Sequence, residues 1–493
     1  MNPRSSAPSL RDLITADPGL PHPNPTTSYW ISHPHPHHLA NTQSPQPPET
    51  ADVVIIGSGI TGASTAFHLL QGESLNLRVT VVEARSLCSG ATARNGGHLI
   101  TPGGVLYSSL KKSLGQDLAY KVLNFTFQNV DAVADAVRQY APREAGYRAL
   151  ERVSCYVDAE GLEAIRGSIE EFERDYPEES GRYTFMNAET VRETYGIHGI
   201  AGAVKFAAGA LSPYRFIMKI WDTLLVKYPN RLTVEANTPA TKITQIPACS
   251  PNTKYKYHVH TPRGIIRTTT VIYATNGYTG HLLPAVRGHI WPFRETMTVQ
   301  DLSSKIPNRG NTISWSFLQD PAYNATSGRT DTGTLYMQQD PQSGDFYFGG
   351  AYSNAEEAIT ADDSSLTAQG SSYLRKTLSE YFGLGTADKN RLVNEWTGIQ
   401  GLTTDEAPLV GPLPSSLTGR EGDGEWVAAG YNGGGMALCW LVGKAIAGML
   451  RDEDVSEWFP EAFYVTEERL ESSLAVEVAV AGMKEYFPGH PEE

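Results

Sequence analysis

The chain has 493 residues, of which 40% are hydrophobic and 19% charged. That is too long for one small core and suits two domains. The net charge of −14 argues against nucleic-acid binding, which needs basic patches to neutralise phosphate; it suits a cationic substrate, although acidity is also ordinary in a soluble protein.

Residues 1–50 are rich in Pro, Ser, His and Asn and read as an N-terminal arm. His33, His35, His37 and His38 invite a metal, but Pro34 and Pro36 hold the segment extended, so no metal site is expected. Tyr29 and Trp30 carry enough apolar surface to pin the arm to a domain. Four cysteines, Cys88, Cys155, Cys249 and Cys439, stand far apart without a CxxC pair. A reducing compartment is the simplest fit, and a cytoplasmic enzyme is expected. The opening MNPRSSAPSL lacks the apolar run of a signal peptide, and the closing HPEE is not a peroxisomal address. The longest apolar stretch, Met436 to Leu450, is interrupted by Gly443, Lys444 and Gly448 and is too short to span a bilayer.

Ala51–Gly57 (ADVVIIG) reads as a buried parallel strand. A glycine turn, a helix over Ala63–Leu70 and a second strand over Leu77–Glu83 complete a βαβ unit. Helices are predicted near 115–140 and 160–176. Leu232–Ile246 reads as two strands broken at Pro239. Further strands are predicted at Tyr255–His260, Ile265–Ala274, His289–Val299, Thr334–Gln339 and Asp345–Phe348. Trp426–Ala429 leads into a glycine loop and an apolar helix, and 462–485 reads as a C-terminal helix.

Gly57-Ser58-Gly59-Ile60-Thr61-Gly62 fits G-x-G-x-x-G between that first strand and helix. In this context Gly57 permits the tight turn, Gly59 lets a pyrophosphate approach the backbone, and Gly62 allows close helix–strand packing. The helix start offers N–H donors to the phosphates. Glu83, followed by Ala84, closes the second strand where an acid holds ribose hydroxyls and repels the extra phosphate of NADP. A second stretch, Ser89-Gly90-Ala91-Thr92-Ala93-Arg94-Asn95-Gly96-Gly97-His98, suits the long contact that FAD needs. Arg94 either meets the pyrophosphate or supports the loop. A third element, Gly430-Tyr431-Asn432-Gly433-Gly434-Gly435-Met436, precedes a helix, where N–H groups stabilise charge at a reduced flavin's N1–C2=O edge.

In this order the three elements resemble the D-amino-acid oxidase-like flavoprotein superfamily, over most of residues 50–455. The nearest likeness is to its γ-glutamylputrescine oxidase-like branch, on Ser28–Trp30, Ala93–His98, Ala274–Thr279 (ATNGYT) and Thr403–Gly411 (TTDEAPLVG). The resemblance implies an α/β fold: a Rossmann-type FAD-binding domain from 51–110, 200–285 and 395–455. With it comes an α+β substrate domain on a mostly antiparallel sheet from 111–199 and 286–394, and a helical tail over 456–493. It implies that Thr238-Pro239-Ala240 contacts adenine, that Ala274, Thr275 and Asn276 lie beside the dinucleotide, and that Tyr431–Met436 covers the flavin's pyrimidine edge. It also implies oxidation of an amine or amino-acid C–N bond to an imine by hydride transfer to flavin N5, with a small-molecule amine substrate and oxygen as acceptor. A dehydrogenase with another acceptor and a flavin-bound regulatory protein are the competing readings.

Two departures from the family stand out. Trp396-Thr397-Gly398-Ile399 is followed by Gln400, where glycine oxidase-like members carry a carboxylate-binding arginine. A neutral amide does not replace a guanidinium, so an α-amino acid is disfavoured unless Arg294, Arg287 or another base serves. Gly401 and Leu402 stand where sarcosine oxidases carry a linking cysteine, so FAD is expected to be noncovalent. His98 is either a proton acceptor or a structural hydrogen-bond partner. Tyr336, Tyr347 and Trp291 either line the substrate pocket or belong to the core.

Overall fold

The computed structural model describes residues 7–33, 37–72, 76–101, 103–247, 254–302, 305–324, 329–331, 333–352, 354–385 and 391–490. Pro34, His35, Pro36, Cys249 and the last three residues of the HPEE terminus lie outside them.

Val53–Ile56 is buried at all four positions and pairs in parallel on both edges, with Val79–Val82 on one side and Thr270–Tyr273 on the other. A strand covered on both faces needs such an unbroken apolar run. The six-stranded sheet runs Leu409–Pro412, Glu425–Ala429, Thr270–Tyr273, Val53–Ile56, Val79–Val82, Leu232–Glu235. Only Leu409–Pro412 is antiparallel to its neighbour. The chain first builds outward from Val53–Ile56 on one side and later returns on the other. That reversal opens a crevice at the carboxyl end of this strand, the usual binding place in a doubly wound sheet.

Helix Ile60–Gln71 covers one face, with helix Cys439–Met449 packed on it. The two approach closely because Gly443 faces Ser64, whose hydroxyl donates to the Trp440 carbonyl. An antiparallel meander, Lys242–Gln245, Tyr257–Thr261 and Gly264–Thr268, lies beside this sheet.

The second layer is a nine-stranded sheet. Its order is Arg391–Leu402, Trp291–Asp301, Phe346–Ala351, Thr334–Gln339, Ile313–Leu318, Arg148–Tyr156, Gly202–Ala210, His98–Leu99, and Thr184–Asn187 also pairs with Gly202–Ala210. Every neighbour is antiparallel except Ile313–Leu318 against Arg148–Tyr156. Strand pairing therefore draws the division elsewhere than the expected boundaries at 200 and 395: Gly202–Ala210 and Arg391–Leu402 both hydrogen-bond in this sheet. Their local pattern is silent on the matter, since membership is decided by pairing with other strands of the chain.

Two predicted elements are corrected. Thr269 divides Ile265–Ala274 into Gly264–Thr268 and Thr270–Tyr273, which join different sheets. The expected helix over 462–485 is a 3-10 turn at Glu461–Phe463 and two helices, Glu467–Glu471 and Val476–Tyr486. Thr466 caps the first of these through its side chain. The arm is threaded into the body: Trp30 stacks on Tyr347 at 4.5 Å and its indole N–H donates to the Asn95 carbonyl at 2.8 Å.

A side chain at Gly443 is expected to separate the two glycine-loop helices, because a Cβ there lies 2.6 Å from the Ser64 Cβ and the Thr65 nitrogen. Gly443→Ala should lower unfolding free energy by about 1–3 kcal/mol, the usual cost of overpacking, measured by urea denaturation; unchanged stability would refute the close contact.

Candidate active site

The first glycine turn is shaped by backbone crowding. Gly57 has φ +109°, and a Cβ there would collide with the Ala274 carbonyl. A Cβ on Gly62 would collide with the Gly57 carbonyl. Gly59 faces the second loop: its Cβ would lie 3.0 Å from the Thr92 hydroxyl, which itself accepts from the Ile60 N–H at 3.0 Å. The Ser58 N–H and hydroxyl donate to Glu83 Oε2 at 3.1 and 2.6 Å, and the Arg85 N–H donates to Oε1 at 3.0 Å. Glu83 thus ties the turn to the end of the second strand.

In the second loop, Asn95 donates to the Thr92 carbonyl and accepts from the Gly97 N–H. Arg94 is buried, and its guanidinium donates to the Ser89 carbonyl at 2.9 Å, the Thr397 carbonyl at 2.7 Å and the Thr26 carbonyl at 2.9 Å. Of the two expected roles for Arg94, the geometry is that of loop support. Asp363, 1% exposed, sits 2.9 Å from Arg85 and 3.5 Å from Arg94. One carboxylate therefore balances two buried guanidiniums that join the arm, the second loop and strand Arg391–Leu402.

The third loop hangs on two asparagines. Asn276 Oδ1 accepts from the Gly430 N–H at 3.0 Å. Asn432, at φ +49°, accepts from the Thr403 N–H at 2.8 Å and donates to the Thr403 hydroxyl at 2.8 Å. The Thr61 hydroxyl donates to the Tyr431 oxygen at 3.1 Å, linking the third loop to the first helix. Buried Asn129 donates to the Met436 carbonyl and accepts from the Leu441 N–H.

A single cavity of about 1950 Å³ joins the three loops to the nine-stranded sheet. Its wall includes Gly57, Ser58, Gly59, Ile60, Thr61, Glu83, Ala84, Gly90, Ala91, Thr92, Arg94, Asn95, Gly96, His98, Ala240, Ala274, Thr275 and all of Tyr431–Met436. Gly62, Ser89 and Gly97 stand behind the wall, where Gly62 sets the turn and a Cβ on Gly97 would strike the Leu211 carbonyl. The cavity is larger than the roughly 300–1,000 Å³ of a site for one small ligand.

The family described as FAD dependent oxidoreductase, DAO, matches residues 52–449. The chain belongs to this family. It is 24% identical over 421 residues to γ-glutamylputrescine oxidoreductase of Escherichia coli, covering 82% of this chain and 84% of that one. It is 24% identical over 407 residues to the probable oxidoreductase OrdL of Rhizobium meliloti, covering 80% and 82%. Among solved structures, glycine oxidase from Geobacillus kaustophilus superposes with a TM-score of 0.63 at 16% identity, over 85% of this chain and 99% of that one. The L-amino acid deaminase of Proteus vulgaris gives 0.61 at 16% identity, over 87% and 96%. These likenesses match the Rossmann-type layer with a mainly antiparallel second sheet.

As a DAO-family flavoenzyme the protein uses FAD, and its own residues fit that cofactor. Glycine backbone forms the floor where a Cβ would intrude. Helix Ile60–Gln71 starts at Gly59 without a side-chain cap, leaving first-turn donors for phosphate. The cavity has room for a dinucleotide and a substrate together.

The substrate side is built by the nine-stranded sheet. Glu295, in the middle of Trp291–Asp301, lines the cavity. The Tyr336 hydroxyl donates to its Oε2 at 3.2 Å, and the Gln400 side chain also hydrogen-bonds to it. Burial pushes this carboxyl up to about 7. Glu295 is absent from the residues expected above, although a lone acid inside the apolar strand WPFRETMTV is a legible signal. His98 Nε2 faces the Met337 carbonyl at 3.1 Å. Burial, helped by the Arg152 charge, holds its imidazole down at about 3. It therefore stays neutral, which suits the structural hydrogen bond and not a proton acceptor at neutral pH. Tyr336 and Trp291 line the cavity, whereas Tyr347 is in the core against Trp30. Arg294 donates to the Glu357 and Asp362 carbonyls, and Arg287 to the Gly280 carbonyl while pairing with Asp17. Neither lines the cavity.

Asp363→Asn leaves two buried guanidiniums without their counter-charge. It is expected to cost about 3–5 kcal/mol and to weaken FAD retention, read by thermal unfolding and by flavin-to-protein absorbance; wild-type stability would show that the pair carries no weight.

Proposed function

We propose that this flavoenzyme oxidises an amine C–N bond to an imine, with noncovalent FAD and with oxygen as the final electron acceptor. The observation that carries the reading is Glu295: a half-buried carboxyl in the cavity wall, held by Tyr336 and Gln400, on the sheet that faces the glycine loops. Such a group suits a cationic amine. The names of the relatives, an amine-type oxidoreductase, a glycine oxidase and an L-amino acid deaminase, support the same class.

In this reading the six-stranded sheet layer and its three glycine loops hold FAD. Gly57–Thr61 receives the pyrophosphate, Glu83 and Ala84 the ribose, Ala240 with Ala274 and Thr275 the adenine side, and Gly90–His98 with Tyr431–Met436 the flavin half. The nine-stranded sheet, including Gly202–Ala210 and Arg391–Leu402, walls the substrate. Bound FAD supplies a two-electron acceptor for the hydride of the substrate's α-C–H. Ionised Glu295 accepts a hydrogen bond from the substrate ammonium and takes its proton, leaving the neutral amine. Tyr336 and Gln400 fix the carboxylate's orientation. His98 holds the second loop against the sheet. Water then hydrolyses the imine.

Noncovalent attachment is supported by Cys439, the one described cysteine in the cavity wall. Burial pushes its thiol up to about 12, far from a nucleophilic thiolate. Cys88 and Cys155 are buried free thiols too, which suits a reducing cytoplasm. Among the described residues, no helix is long and apolar enough to cross a membrane.

Acid precipitation of the yellow holoenzyme is expected to leave the flavin in the supernatant; colour fixed in the pellet would contradict noncovalent binding. Glu295 is active when ionised, so flavin reduction by amine should accelerate as pH rises through about 7. The titratable groups near it, Tyr336, Tyr352 and His98, keep their neutral forms across that window. Glu295→Gln should remove this limb, leave the substrate's own ammonium titration, and slow reduction by about 10²–10⁴-fold. Anaerobic stopped-flow reads both effects, and an intact limb in the variant would eliminate Glu295 as the base. Peroxide formed in equal amount to oxidised amine checks the acceptor.

A further inference from the structure

Arg152 lies on strand Arg148–Tyr156 of the nine-stranded sheet, 5% exposed. Its Nε donates to the Ser316 hydroxyl at 3.2 Å, and its Nη1 meets no hydrogen-bond partner. Among the described residues, no carboxylate forms an ion pair with it. The other buried arginines are answered: Arg85 and Arg94 by Asp363, and Arg294 by backbone carbonyls and the Ser365 hydroxyl. Tyr156, four residues on and therefore on the same face of the strand, is 4% exposed, and its hydroxyl likewise has no partner. Both residues line the cavity. An unpaired buried guanidinium is costly, and burial lowers it only to about 10, so it remains charged at neutral pH.

We propose that Arg152 and Tyr156 form a subsite for a substrate carboxylate, so that the amine oxidised here carries an acidic group remote from the reacting nitrogen. The inference rests on the amine reading above. A carboxylate supplies both the missing charge and the acceptor oxygens, and the planar guanidinium matches it in a two-bond geometry. The subsite takes the place of the arginine lacking at Gln400, and it comes from another part of the sheet. Between Trp291–Asp301, which bears Glu295, and Arg148–Tyr156 lie Phe346–Ala351, Thr334–Gln339 and Ile313–Leu318. Four strand spacings put the two backbones about 19 Å apart. The side chains close part of that gap. An α-amino acid, with nitrogen and carboxylate carbon two bonds apart, does not bridge the remainder. An elongated ω-amino carboxylate does.

The test compares two series on the holoenzyme, ω-amino carboxylates of increasing chain length and the alkylamines of matching length, by anaerobic flavin reduction. Wild type is expected to favour the longer carboxylates over their alkylamine partners by about 10- to 100-fold, the worth of charge-assisted bonds, with no such advantage for glycine. Arg152→Met should abolish the advantage and leave the alkylamines within about threefold; Arg152→Lys should restore part of it. Tyr156→Phe, with a smaller loss confined to the carboxylates, carries the comparison if Arg152→Met does not fold. Separately, calorimetry with glutarate, which has no amine, should show binding to wild type and none to Arg152→Met. Equal use of both series by wild type, an equal loss of both in the variant, or glutarate binding untouched by Arg152→Met overturns the subsite. If no amine of either series reduces the flavin, the amine reading falls and the glutarate measurement alone decides the subsite.

Discussion

Three backbone surfaces meet where Gly57, Gly62 and Ala274 leave no space for one more carbon atom. The Ala274 carbonyl closes on Gly57 because Thr270–Tyr273 pairs in register with Val53–Ile56. The Gly57 carbonyl closes on Gly62 because the helix starts immediately beyond the turn. The two contacts fix the helix start relative to the sheet. Everything downstream inherits that placement: Thr92 reaches the Ile60 N–H, Tyr431 reaches Thr61, and Gly443 settles on Ser64. The glycines are thus as much a packing device as a ligand surface, and the second function depends on the first.

Charge burial divides the molecule's interior into two kinds of site. Asp363 with Arg85 and Arg94 is a charge-balanced set that joins the arm, the second loop and the strand that ends beside Gln400. Such a cluster costs desolvation, which the opposite charge and its hydrogen bonds offset even though the Arg85 Nε has no partner. Glu295 and Arg152 are open sets in the cavity wall, each with bonding capacity directed at something other than the protein. A fold that satisfies one buried arginine completely and leaves another short of acceptors is distributing structure and function between them.

The first half of the dinucleotide layer was legible because its signals are local. A β-branched run, three spaced glycines and an acid at the end of the next strand lie within about 35 residues and follow directly from backbone geometry. The Asn432 loop was visible for the same reason. What sequence reading missed depends on distant pairing. Gly202–Ala210 and Arg391–Leu402 belong to the larger sheet through pairing with separate strands, and nothing in their own alternation names those partners. Arg94 had two chemically sound roles, and only Thr26 and Thr397, distant from it in sequence, choose between them. Glu295 left a local trace as a lone acid in an apolar strand, whereas its raised pKa comes from burial, which outweighs the lowering effect of the hydrogen bonds from Tyr336 and Gln400 on other strands.

Gln400 shows how a neutral side chain at one position redistributes work. An arginine there would place a fixed positive charge beside Glu295 and against Gly433, where an added Cβ would lie 2.7 Å from the Gln400 amide oxygen. Opposite charge so close would pull the Glu295 carboxyl down and keep it ionised and paired. The neutral amide instead orients Glu295 without charging its surroundings, so burial dominates and the carboxyl titrates near neutrality. A group poised there both receives a cation and exchanges its proton at working pH, which a permanently paired carboxylate does not. A neutral residue at Gln400 thus leaves the acid free to titrate, and on the proposed reading a substrate carboxylate finds its counter-charge elsewhere on the sheet. On the proposed reading, the neutral Gln400 and the unpaired Arg152 are two ends of one arrangement, in which the anionic end of the ligand lies away from the reacting bond.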